Sequence, residues 1–535
     1  MIYLVDTIII LIYLLTIIAL GVYFSRKYRV VSEREFMTGG HHLPWWKTGL
    51  TLVALMFDPG IMGNTALAYV WGYYVIQWNG VNVWFSAWFA SLFIIGIYWR
   101  SGITNTPEYL EKRFNPATRA VFSIIMVIML VSFMTYGVFM GSVMLNKLLG
   151  WNHWLGAIAL LIIASTYVIM GGVRTMLALD VIQGGLLIIT LLVLGGYGFY
   201  LLGGFEGIRQ ISELGRGNTP IPSMIPPMDT SLCSKIFFPL PAIPTWAVIA
   251  GLSWIVCNSS MAQRLLASRD EQHSQKALIM AGGFNVFVLF FAYTAGVAMR
   301  KLEPSINSDE AFITLLLEYF PVGVRGFLMI GLVAALLSTI DGLLSTSGQL
   351  LNDDIYKRFI HRSASPANQK HFTQIVQIVF AGVTLLTMPL FMQSSSNEQS
   401  AFQVLLDFLG DIMGVVIAIF VLGIFFKRTT AKASFIAITV GIVLGWFVKF
   451  NTELNFAYRG TLQFLLVILL GLVLCRFEKP RSKESLANLT IWTLPDVKGP
   501  FIGLKAWPGL LKWVIGLPLG WLILMTVWEI YMRSA

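Results

Sequence analysis

Ala334-Ala335-Leu336-Leu337-Ser338-Thr339-Ile340-Asp341-Gly342-Leu343-Leu344-Ser345-Thr346-Ser347 places five hydroxyls and one carboxylate inside a long apolar run, which then leads into Asn352-Asp353-Asp354-Ile355-Tyr356-Lys357-Arg358-Phe359. In hydrocarbon, polar groups on one helix are costly and persist where they meet an ion, a water-filled path or another helix. The stretch therefore decides the setting: a buried helix of a membrane protein that handles something polar.

The surrounding chain agrees. Of 535 residues, 56% are hydrophobic and 12% charged, with a mean hydropathy of +0.74. Soluble domains carry about 25% charged residues. Apolar runs recur from end to end, leaving no room for a large soluble domain. The expected fold class is an all-α polytopic membrane protein with about fourteen spans. They cover 4–24, 46–70, 78–99, 119–147, 154–172, 177–203, 240–262, 276–299, 323–352, 372–392, 402–426, 433–450, 460–475 and 509–531. The first is too long for a signal-peptide core and is read as a retained span. The net charge of +10 comes from residues scattered over short loops, so it excludes a nucleic-acid surface and reads as an orientation signal. Loops after odd-numbered spans hold clusters such as Arg26-Lys27, Lys112-Arg113, Lys357-Arg358, Lys427-Arg428 and Arg476 to Lys483, and the opposite loops are sparse in them. The first set is therefore expected in the cytoplasm, with both termini extracytoplasmic and the chain in the plasma membrane, or the inner membrane of a bacterium. The longest outside loop, about 205–239, is Pro- and Gly-rich and reads as a capped loop. Three cysteines imply no disulfide framework.

The second span contains Met56-Phe57-Asp58-Pro59-Gly60-Ile61-Met62-Gly63-Asn64. Proline removes an N–H and clashes with the preceding turn, so the helix breaks at membrane depth. The freed carbonyls are tolerable only against protein or a cavity and suit a hard monovalent cation. Asp58 lies within the break, beside Gly60. Further acids at depth are Asp180 and Asp341. Asp180 follows Arg174 by six residues, so an interfacial ion pair is one reading; Asp341 shares a helical face with Ser338. Ser345, Thr346 and Ser347 read as bonding back to the i−4 carbonyl or as helix–helix contacts. Asp407 and Asp411 are either wet residues at an outer mouth or part of a site. Asn79 and Asn82, flanked by tryptophans, read either as an interface belt or as amides holding a polar solute. No histidine set has metal-ligand spacing, and no nucleotide loop or nucleophile elbow occurs, so no catalytic constellation is expected. Ion-coupled transport is.

Four blocks then carry a resemblance: Phe36-Met37-Thr38-Gly39-Gly40-His41-His42-Leu43-Pro44-Trp45-Trp46; Tyr167 through Gly171-Gly172-Val173-Arg174 to Asp180-Val181-Ile182-Gln183; Gln263-Arg264-Leu265-Leu266-Ala267-Ser268; and the opening stretch through Asp354-Ile355-Tyr356-Lys357. With Gly423-Ile424-Phe425-Phe426-Lys427-Arg428, these make the chain resemble the sodium:solute symporter family over about 1–435. The resemblance implies a five-plus-five inverted repeat of the LeuT type. The chain then divides into a first helix and linker (1–45), a ten-helix core (46–430) and three C-terminal accessory helices (431–535). It implies a sodium site of the Val53, Met56 and Ala335 carbonyls with the Ser338 and Thr339 hydroxyls. Asp180 and Asp341 make a candidate second cation or proton site, since Asp341 stands where some members have a serine. The family's sugar contacts do not carry over: Leu55, Gly60, Asn79, Gly251, Asn285 and Leu406 occupy those places, and only the gate aromatic is kept in kind, as Trp254. Substrate candidates are therefore Asp58, Gly60, Asn79, Asn82, Trp254 and Asn285. The expected function is sodium-coupled import of a small polar organic solute, with a sugar or sialic acid favoured; an amino acid or other zwitterion held by Asp58 is the alternative, and a transporter-like solute sensor is another. Sodium is the expected coupling ion with no organic cofactor. The expected partners are the solute and the lipid bilayer.

Overall fold

The protein is described from a computed structural model covering residues 4–27, 41–56, 60–212, 214–215, 218–237, 239–394, 400–494 and 501–534. Asp58 and the side chains of Asn79 and Arg174 lie outside the described residues.

Helices dominate. In order they are α1 (Leu4–Lys27), α2 (Trp45–Met56), α3 (Gly60–Trp71), α4 (Ile76–Phe93), α5 (Ile95–Ser101), α6 (Thr106–Arg113), α7 (Pro116–Leu149), α8 (His153–Leu201), α9 (Ser259–Leu266), α10 (Glu271–Leu302), α11 (Val324–Leu351), α12 (Pro366–Thr387), α13 (Ala401–Phe425), α14 (Ala431–Asn451), α15 (Phe456–Leu474) and α16 (Leu510–Arg533). Their starts are written locally. α6, α7, α8, α10, α12, α13, α14 and α15 each follow an Asn, Asp, Ser or Thr whose side chain accepts an N–H of the first turn, satisfying a donor that the helix itself leaves orphaned.

Eleven helices among the described residues are long and apolar enough to cross a membrane, or up to thirteen when each bent pair counts as one span. The fourteen expected spans are therefore not all reproduced. The difference lies in the fifth and sixth, which run together as the single helical stretch α8. Its Leu177–Leu201 part is long enough to cross, whereas His153–Ser165 is a shorter apolar piece. The bent pairs are α2 with α3, turning by 56° across the Pro59 segment, and the Tyr73–Phe93 stretch with α5, turning by 43°.

The core is built where α8 packs on α10, α11 and α2, with α10 laid against both halves of the broken pair α2–α3 and α11 against α2. Contact is close: a Cβ on Gly296 of α10 would stand 2.2 Å from the Thr65 carbonyl oxygen of α3, so only glycine lets these backbones meet. α1 lies against α8 and α11. It is pinned there by the buried Asp6, which accepts the Gly323 and Gly326 N–H groups at 2.8 and 3.1 Å and pairs with Arg325.

Of Asp407 and Asp411, the first has a side chain 45% exposed and the second is buried. Both accept from Arg459 at 2.7 Å, and Lys449 reaches both, which ties α13 to α14 and α15. The 205–239 loop carries a hairpin pairing Leu214–Gly215 with Thr219–Pro220. It is held by α16: Glu529 accepts the Met224 N–H at 2.6 Å and the Ser223 hydroxyl at 3.0 Å, and the Trp528 indole donates to the Pro222 carbonyl at 2.8 Å.

Candidate functional site

α2 and α3 are bent by 56° to one another across residues 57–59, which places Val53 and Met56 in the last described turn of α2, near the negative end of its dipole. Val53 is fully buried. α11 packs against α2 and brings Ala335, Ser338 and Thr339, all buried. The five expected sodium ligands thus sit on two helices in contact.

Two of them have different surroundings. Ser338 Oγ donates to Asp180 Oδ1 at 2.7 Å. With its proton committed there, its lone pairs are left for another acceptor of electron density. Thr339 Oγ1 is buried and has no hydrogen-bond partner among the described residues. Leaving a buried hydroxyl unpaired costs roughly 1–3 kcal/mol, so this oxygen is a place where a ligand gains. Carbonyls at a helix C-terminus, an oriented hydroxyl and an orphan hydroxyl are hard oxygen donors of low total charge, which fits a monovalent cation.

Asp180 is fully buried on α8 and is satisfied on every side: Oδ2 takes Arg264 Nη2 at 2.8 Å and Nε at 3.2 Å, while Oδ1 takes Ser338. Its partner is therefore Arg264 of α9. The motif Gln263-Arg264 carries the family resemblance without announcing this role; the sequence-level signal is a basic residue within a helix whose every residue is buried, which demands an acid. Arg264 also donates to the Ser260 carbonyl at 3.2 Å. Asp341, one turn from Ser338 and buried, faces the α1 side, within electrostatic reach of the Tyr13 hydroxyl. Tyr13 lies beside Gln183. Sequence reasoning missed both, because a lone Tyr on a first helix and a lone Gln carry no pattern.

One end of the bundle around α9 is closed by polar contacts. Ser260 and Thr346 hydroxyls lie 2.6 Å apart, Gln263 donates to Gln349 at 2.8 Å, and Ser268 donates to Thr48 at 3.0 Å. Leu43 and Arg269 add backbone bonds at 3.1 and 3.0 Å. Thr346 is thus a helix–helix contact as expected, and Ser347 bonds back to the Leu344 carbonyl.

The substrate candidates are placed unevenly. Gly60 opens α3 and is buried. Asn82 and Asn285 are buried, and the Oδ1 of each lacks a hydrogen-bond partner among the described residues. A Cβ on Gly251 would sit 2.1 Å from both Asn82 Oδ1 and Ser86 Oγ, so glycine there is what admits these polar groups. Trp254, in a π-helical turn, packs its ring on Phe133 at 4.4 Å. Asn64, four residues into α3, accepts from the Tyr293 hydroxyl at 3.0 Å; it and Ser86 were not singled out by sequence.

Comparison with known proteins follows this geometry. The profile of the sodium:solute symporter family matches residues 36–441. A sodium/glucose cotransporter of Vibrio parahaemolyticus is 27% identical over 83% of this chain and 85% of its own length. Sodium/glucose cotransporter 4 of Mus musculus is 24% identical, covering 91% of this chain and 78% of its own. A sodium/myo-inositol cotransporter 2 of Sus scrofa is 26% identical over 82% and 69%. Among solved structures, an outward-open, substrate-bound Na+-coupled sialic acid symporter superposes with a TM-score of 0.75 at 20% identity, over 90% of this chain and 99% of that one.

Proposed function

The chain belongs to the sodium:solute symporter family, and from that premise we propose that it imports a sugar-like polar solute, driven by sodium held between α2 and α11. The observation that carries the ion assignment is Thr339: a buried hydroxyl without a partner, beside a hydroxyl whose proton is already committed to Asp180. The ligands are the Val53, Met56 and Ala335 carbonyls with Ser338 and Thr339. Residues 46–430 form the transport core, and both termini are extracytoplasmic.

The coupling route is short. Sodium draws on the Ser338 oxygen; Ser338 donates to Asp180; Asp180 is anchored by Arg264; and Arg264 belongs to α9, which closes one end of the bundle on α11 through Ser260–Thr346 and Gln263–Gln349. Taken with the loop charges, that end is cytoplasmic. Sodium occupancy therefore favours the state closed inward and open outward, and solute binding followed by rocking of the repeats releases both inside. Asp180 acts here as a positioning group neutralised by Arg264, which leaves Asp341 as the acid for a second cation or a proton. Each sodium moved through 100 mV supplies about 2.3 kcal/mol.

The sugar reading rests on relatives that are sodium/glucose and sodium/myo-inositol cotransporters and on buried amide oxygens at Asn82 and Asn285. An amide oxygen accepts from a sugar hydroxyl, and Trp254 offers a ring face. The test is uptake into proteoliposomes under an imposed sodium gradient with labelled hexoses, inositol, sialic acid and amino acids. Accumulation of a polyol or sugar that collapses in potassium supports the reading. Accumulation of an amino acid alone, or uptake that follows a proton gradient instead, overturns it.

A further inference from the structure

A cavity of about 780 Å3 lies between α10 and α16, and its walls include Lys276, Phe284 and Phe287 of α10, Trp507, and Trp513 and Leu517 of α16. Phe284, Phe287 and Trp513 are 41%, 58% and 51% exposed; on membrane spans that exposure faces lipid. From Lys276 to Phe287 the helix rises roughly 16 Å, about half of a 30 Å hydrocarbon core. The groove is thus one leaflet deep.

Its two ends differ. The deep end is wholly apolar. The mouth carries tryptophans, as at a membrane interface, and a cation. The Lys276 ammonium lies 5.6 Å from the Trp507 ring centroid. Among the described residues it pairs with no carboxylate; the nearby Glu271 is taken by Arg100 at 2.8 Å. A groove with an apolar floor and an unneutralised ammonium group at an aromatic rim complements a molecule with one acyl tail and an anionic head.

We propose that this groove is a binding site for an anionic phospholipid, one acyl chain lying along Phe284 and Phe287 and the phosphate on Lys276. The site sits at the lysine-rich end of the bundle, where the inner leaflet supplies anionic lipid. By bridging α10 of the core to α16, which also clamps the 205–239 loop through Glu529 and Trp528, the lipid fastens the C-terminal helix to the core. The assignment does not depend on the transported solute.

The test uses the full chain purified in mild detergent. Lipid retention is read by native mass spectrometry and thermal unfolding by fluorescence, after addition of phosphatidylglycerol, phosphatidylcholine with the same chains, or inorganic phosphate. Phosphatidylglycerol alone should be retained and stabilise the protein. Lys276→Gln should weaken its retention about fivefold, the expected effect of one lysine at an anionic headgroup; Lys301→Gln, at the opposite end of α10, should leave it unchanged. Gly283→Leu provides the second variant. Gly283 lines the groove, and a Cβ there meets nothing within 4 Å, so the leucine fills the cavity without crowding the protein and should displace the lipid. Equal retention of both lipids, stabilisation by phosphate alone, undiminished retention in Gly283→Leu, or occupation of the groove by a second copy of the chain in neutral detergent would each overturn the assignment.

Discussion

Replacing Thr339 with valine separates a sodium ligand from a packing residue. Valine keeps the volume and removes only the hydroxyl. That hydroxyl has no partner to lose among the described residues, so in sodium-free buffer the variant should be as stable as the parent or more so, by up to roughly 1–3 kcal/mol. With sodium present it lacks one charge-assisted contact, worth about 2 kcal/mol, or about 30-fold in affinity. At a concentration 100 times the parent's Kd, sodium stabilises the parent by about 2.7 kcal/mol; at the same concentration the variant keeps about 0.9 kcal/mol. Ser338→Ala should lose sodium affinity similarly but behave oppositely without it, because Asp180 then loses a donor at 2.7 Å, a destabilisation of about 1.5–3 kcal/mol. Thermal unfolding across a sodium titration, with choline as the replacement cation, reads both numbers. A Thr339→Val protein that is destabilised in choline yet keeps the parent's sodium midpoint would refute the argument.

Other consequences can be measured on the same preparation. Arg264→Met should destabilise by about 3–5 kcal/mol because it leaves Asp180 charged and buried; Asp180→Asn in the same chain should recover part of the loss, whereas additive losses in a double-mutant cycle would mean that the two side chains are not coupled. Gly251→Ala places a Cβ 2.1 Å from Asn82 and Ser86, so uptake should fall and stability drop by about 1–3 kcal/mol, with the sodium midpoint unchanged. Arg459→Met breaks the link from α15 to Asp407 and Asp411 and should lower the unfolding temperature while leaving the sodium titration of the folded protein as in the parent.

Much of the protein is legible in the sequence because it is decided over short distances. A span is about 20 apolar residues, so most crossings could be placed; the exception, at the fifth and sixth, is where helical character continues through the residues expected to form a loop. A proline break is equally local, and the α2–α3 pair is bent by 56° at the Pro59 segment. The hydroxyl-and-acid run of α11 is local too. What the sequence could not decide is who faces whom. Asp180 has Arg174 as its nearest basic neighbour in the chain, yet the structure also brings it Arg264, 84 positions away. Asp407 and Asp411 could not be assigned until α14 and α15 packed beside them with Lys449 and Arg459. The groove joins residues of α10 to residues more than 200 positions later on α16. Hydropathy and helix breaking are properties of a segment, whereas charge neutralisation, orphaned hydroxyls and clefts arise only when segments meet, and in hydrocarbon each buried charge must find its partner wherever packing places one.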